Sequence, residues 1–86
     1  MAEPYRILFA RSAKRELEHL PRQAVELLKA RIDDLLSQPR PPGCQKLSGA
    51  DFYRIRQGDY RILYAIDDRE RVVEIVKIGH RREVYR

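Results

Sequence analysis

Among the 86 residues there is a single cysteine, Cys44. It can form neither an internal disulfide nor, by itself, a zinc site, which excludes a disulfide-stapled secreted module and a zinc finger. Only four glycines occur and they are scattered, so there is no glycine-rich loop to cradle a phosphate, and no Ser–His–Asp pattern is present either. No apolar run approaches the roughly 18 residues a membrane span needs. The start, Met1-Ala2-Glu3-Pro4, lacks the shape of a signal peptide. A cytoplasmic protein with no membrane partner is expected. Repeats and low-complexity tracts are absent too, and one domain over residues 1–86 fits the length. A chain of this size buries only about 60–65% of the surface its unfolded form exposes, so its core is thin.

Positive charge is abundant. Eighteen Lys+Arg stand against thirteen Asp+Glu, a formal net charge of +5, and fourteen of the eighteen are arginines. The planar guanidinium fork grips phosphate through paired hydrogen bonds, whereas lysine acts as a point charge. Net charge speaks to partners rather than to fold. The partners it favours are nucleic acid or an acidic protein.

Hydrophobic periodicity predicts an α+β domain of two layers. Residues 5–10 alternate as a strand, with Tyr5, Ile7 and Phe9 on one face. Ser12 is a plausible N-cap for a short helix that carries Ala13, Leu17 and Leu20 on one side. Pro21 closes that helix and suits the first turn of the next. There Val25, Leu28, Ile32 and Leu35 make the apolar stripe of a helix over 22–37. The run Pro39-Arg40-Pro41-Pro42-Gly43 ends helical structure, and 44–51 reads as a loop. Strands over 52–57, 60–66 and 71–78 then predict a three-stranded antiparallel meander with a short C-terminal tail. For the strand 71–78 the pattern leaves two core faces open, Val72/Glu74/Val76/Ile78 or Val73/Ile75/Lys77.

Gly58-Asp59 fits a two-residue hairpin turn with glycine first. Counting outward pairs Gln57 with Tyr60, Arg56 with Arg61, Ile55 with Ile62 and Tyr53 with Tyr64. Alternation then puts Tyr53, Ile55, Ile62 and Tyr64 on the core face and Arg54, Arg56 and Arg61 on the other. Like charges directly opposite destabilise a sheet by several tenths of a kcal/mol. Either these arginines splay into water or pair with an acid such as Glu74, or they form an anion site sized for a phosphodiester. The meander brings the tail, His80-Arg81-Arg82-Glu83-Val84-Tyr85-Arg86, near Arg61. Histidine suits proton transfer at neutral pH, and tyrosine can stack on a base or relay a proton. Convergence of His80 and Tyr85 on the arginine face is therefore expected. His19 and the acidic turn Asp67-Asp68-Arg69-Glu70 read as solvated surface.

Across nearly the whole chain these residues resemble the RelE/ParE superfamily of bacterial type II toxins, in particular its RelE-like ribonuclease branch. The likeness is carried by Ser12-Ala13-Lys14-Arg15-Glu16-Leu17, Lys46-Leu47-Ser48-Gly49, Tyr53-Arg54-Ile55-Arg56, Gly58-Asp59-Tyr60-Arg61-Ile62-Leu63-Tyr64 and Gly79-His80-Arg81-Arg82-Glu83-Val84-Tyr85. The resemblance implies a ribosome-dependent endoribonuclease that cuts mRNA in the A site by attack of the ribose 2′-hydroxyl, without metal or cofactor. It also implies a co-expressed acidic antitoxin and a toxin–antitoxin hetero-oligomer. Arg61, Arg81, Tyr85 and His80 are then the expected catalytic residues, and Arg54, Arg56, Lys46 and Arg82 the expected RNA contacts. Family members typically place basic residues where Arg54 and Arg56 stand, lysines in the best-studied type. Arginine does not give up its proton, so those two can clamp phosphate but not act as base. A ParE-like toxin that binds DNA gyrase without nuclease activity, or a non-catalytic nucleic-acid-binding domain, are the alternatives.

Overall fold

The structure, a computed structural model, describes residues 4–47 and 51–80. Its elements are β1 (Arg6–Phe9), α1 (Arg11–Glu18), α2 (Arg22–Asp34), β2 (Gln45–Lys46), β3 (Phe52–Gln57), β4 (Tyr60–Asp67) and β5 (Val72–His80). The five strands form one sheet in the order β1-β5-β4-β3-β2. The expected meander β3-β4-β5 is its centre, and β1 joins in parallel beside β5. Both helices contribute to one core against the sheet: Ala13, Leu17, Leu28, Ile32 and Leu35 meet Ile55, Ile62, Tyr64, Val73, Ile75 and Ile78. This is the two-layer α+β architecture that the periodicity implies.

Several boundaries differ from the expected ones. Ser12 is not the cap of α1: the N-cap is Ala10, which has no side-chain oxygen to offer, and Ser12 lies inside the first turn. Helix α2 ends at Asp34 rather than 37, because Leu35 and Leu36 bond back to the carbonyls of Ile32 and Asp33 in a tightened last turn. The segment read as a loop over 44–51 contains β2, which pairs Gln45 with Arg54 and Lys46 with Tyr53. Strand β5 runs two residues further than expected, through Gly79 and His80.

The hairpin pairs as counted, with all four predicted partners in register. Gly58 has φ +61, and Arg71 is the one non-glycine of positive φ among the described residues, so Asp59 turns with negative φ as a glycine-first hairpin turn requires. The open choice of core face on β5 has a physical answer. The register shifts between Leu63, opposite Lys77, and Tyr64, opposite Ile75, so Val76 is an extra residue. A bulge of this kind swaps the faces, and Val73 and Ile75 are buried on one side of it and Ile78 on the other.

At the end of the sheet away from the hairpin, Asp68 gathers a network. Arg40 grips its carboxylate with two bonds of 3.1 and 2.9 Å, and the Tyr5 hydroxyl donates to it at 2.6 Å. Arg40 also donates to the Tyr53 hydroxyl at 3.1 Å, while the buried Tyr64 donates to the Pro39 carbonyl at 2.7 Å. The proline-rich connection is thus tied to the β4–β5 turn, which reads from the sequence as mere solvated surface. Arg40, then Tyr5, hold the Asp68 carboxyl down at about 2. Because this value lies below the unfolded one, the stabilisation is complete above about pH 4 and fades as pH falls toward 2. Asp68→Asn should therefore melt at a lower temperature than the native chain at pH 7 and match it near pH 2. Thermal melts across that range check the convergence; parallel curves at all pH values would show that the ion pair contributes nothing.

Candidate active site

Two strands build the arginine face. Arg56 stands directly opposite Arg61, and Arg54 lies two residues along on the same side of β3. Arg54 donates to the Gln45 side chain of β2, a contact invisible while 44–51 reads as loop. Arg56 is exposed. Arg61 is not the solvated side chain that the alternation suggests: it is only 5% exposed, and its Nη1 lies 3.4 Å from the Tyr60 carbonyl oxygen. Across the next strand its partner is Gly79, which sets no side chain against it. The guanidinium of Arg61 is thus buried next to Arg56 rather than splayed into water.

Glu74, the expected acidic partner of this face, stands opposite Ala65, toward the far end of β4. The acid bonded to the β5 end that flanks Arg61 through Gly79 is Glu16 of α1. Its Oε2 lies 3.0 Å from Lys77 Nζ, and its Oε1 accepts the Ile78 N–H at 3.0 Å. The signal for Glu16 in the sequence is slight: it occupies a helical position on the sheet side, between Ala13, Leu17 and Leu20, where an apolar residue is the norm.

Two expected members stand elsewhere. Lys46 pairs with Tyr53, and directly opposite residues share a face, so Lys46 sits on the helix side of the edge strand β2, away from Arg54. His80 pairs with Tyr60, and their rings meet edge to face at 6.1 Å between centroids. Tyr60 packs against the core cluster, which puts His80 on the helix face and Arg61 on the other. The expected convergence of His80 with the arginines is corrected accordingly. They share one end of the sheet, not one side of it, because β5 continues as strand to His80 and its alternation continues too. Arg81, Arg82 and Tyr85 lie outside the described residues.

Arginines cannot serve as base, so the described face supplies charge and grip rather than proton transfer. Among the described residues no three His, Cys, Asp or Glu side chains gather as metal ligands, and no helix is long and apolar enough to cross a membrane.

Comparison with known proteins supplies the context. A family model described as "ParE toxin of type II toxin-antitoxin system, parDE" matches residues 7–85. The toxin RelG of Mycobacterium tuberculosis is 34% identical over 87 residues, which cover 96% of this chain and 98% of that protein. The fold is similar to the toxin–antitoxin structure of archaeal RelE–RelB from Pyrococcus horikoshii OT3, with TM-score 0.82 and 30% identity over 91% of this chain and 96% of that one. The isolated E. coli RelE toxin gives TM-score 0.80 and 32% identity, covering 94% and 90% of the two chains. With nearly its whole length matched in sequence and in fold, this chain belongs to the RelE/ParE superfamily of toxins of type II toxin–antitoxin systems.

Proposed function

We propose that the chain is a ribosome-dependent endoribonuclease that cuts mRNA in the A site and so halts translation. The observation that carries this reading is that Arg54, Arg56 and Arg61 share one face of the β3–β4 hairpin, with Arg56 and Arg61 directly opposite, a concentration of guanidinium groups suited to gripping a phosphodiester. The reaction is internal transesterification. A base takes the proton of the ribose 2′-hydroxyl, the 2′-oxygen attacks the adjacent phosphorus, and the 5′-oxygen leaves with a proton from an acid, giving a 2′,3′-cyclic phosphate. Arg61, with Arg56 and Arg54, neutralises the charge that builds on the phosphorane; Arg81 supports the leaving oxygen and Tyr85 moves the proton. His80 acts from the helix side as a secondary contact. A protein that works on ribosomes is cytoplasmic, and its +5 charge suits a rim of ribosomal RNA.

An acidic antitoxin is the proposed partner, in keeping with the RelE–RelB complexes among the similar structures. The test is primer extension on ribosome-bound message after induction, beside the same RNA free in solution. Cleavage is expected only with ribosomes engaged, since a domain this small offers no channel to present RNA; efficient cutting of naked RNA at physiological salt would overturn the reading. The family description names ParE toxins, which favours a second reading, a gyrase-binding toxin. It predicts growth arrest with the message intact.

A further inference from the structure

We infer that Glu16 is a positioning residue of this toxin, acting through the backbone of β5. The inference rests on the proposed nuclease reading for its kinetic consequence, but not for its geometry. Strand β1 flanks β5 only as far as Phe9, opposite Ile75, and the Ala10 N–H to the Ile75 carbonyl closes that ladder at 2.9 Å. From Val76 onward β5 has a strand on one side only. Its other flank meets α1 and an open cleft of about 420 Å³, lined by Arg15, Glu16, His19, Leu20, Ile78 and Gly79.

This unsupported end begins at the bulge. A one-residue slip beyond Val76 would carry every following side chain to the opposite face: Ile78 would leave the core, Gly79 would leave Arg61, and a side chain would take its place. Glu16 opposes the slip at the two residues that follow the bulge. Its Oε1 takes the outward Ile78 N–H, a bond that a neighbouring strand would otherwise supply, and its Oε2 pairs with Lys77. The Glu16 side chain is 30% exposed and that of Lys77 39%, so the backbone bond, rather than the screened ion pair, fixes the register. The same bond sets the position of the Gly79 backbone that faces Arg61.

The experiment compares the full-length native chain with Glu16→Ala, Glu16→Gln and Lys77→Met. Single-turnover cleavage of ribosome-bound message at saturating toxin, ribosome affinity, and hydrogen exchange at the Ile78 amide are read for each. Glu16→Ala should lower the cleavage rate at least about tenfold, leave ribosome affinity within about twofold, and lose protection at Ile78. Glu16→Gln, whose amide oxygen still accepts the N–H, should restore both rate and protection, and Lys77→Met should stay near native. Native rate with Glu16→Ala, lost affinity in place of lost rate, or no rescue by glutamine would each overturn the proposal. If the native chain itself fails to cleave, the nuclease reading falls; growth arrest then replaces rate, and loss of arrest together with Ile78 protection in Glu16→Ala still supports the positioning role, while full arrest overturns it.

Discussion

Arg61→Met should cut cleavage of ribosome-bound message by about a hundredfold or more and leave the fold standing. The proposed clamp residue is nearly buried, so its methylene stem is packed in addition to the role proposed for its charge. Alanine would remove both, leave a hole that costs about 2–5 kcal/mol in a marginally stable domain, and confuse the two losses. Methionine keeps an unbranched stem of similar length, deletes the fork, and relieves the like-charge contact with Arg56. Among the bonds it gives up is the one to the Tyr60 carbonyl, which at 3.4 Å is long. Arg61→Lys should fall between the two, since it keeps a charge without the fork's geometry. Thermal melting and single-turnover cleavage on the same preparations check this. A methionine variant that cleaves at native rate would make Arg61 structural, and the arginine pair would need another explanation.

The hairpin was legible because two local signals agree there. Period-2 alternation assigns the faces, and a glycine-first turn fixes the count, so Ile55 opposite Ile62 follows without any tertiary knowledge. The same logic stops where the ladder is irregular. On β5 both alternations looked plausible because both are used, one on each side of Val76, and a bulge leaves no clear mark on a run rich in β-branched residues. The parallel partnership of β1 with β5 joins segments more than sixty residues apart, and nothing local encodes it. Strand β2, at two residues, is too short to show a period.

Site residues were legible by type and less so by direction. Arg54, Arg56 and Arg61 share a face as alternation requires, but that Gly79 stands beside Arg61 is known only once the register of β5 is known. Ending the strand at 78 released His80 from alternation and let it be imagined beside the arginines. Carrying the strand to His80 fixes it with Tyr60 instead. For Lys46 the reason is the reverse: read as part of a loop it has no face, and in β2, opposite Tyr53, it has one.

That placement separates the two proton-transfer candidates. With its ring against Tyr60 on the helix side, His80 is a poor choice for a group that must touch a phosphodiester held by Arg56 and Arg61 across the sheet. Tyr85→Phe should therefore lose about a hundredfold or more in single-turnover rate, the usual scale for a missing acid–base group, while His80→Ala loses only a few-fold. A phenol ionises near 10 in water, so with Tyr85 as base the native rate should climb as pH rises toward that value. Tyr85→Phe should flatten the climb, and His80→Ala should preserve it. Because phenylalanine keeps the ring and lacks only the hydroxyl, stacking on a base survives in Tyr85→Phe, and only the hydroxyl is tested. A near-native Tyr85→Phe beside an inactive His80→Ala would reverse the assignment and require His80 to reach the phosphate around the open end of β5.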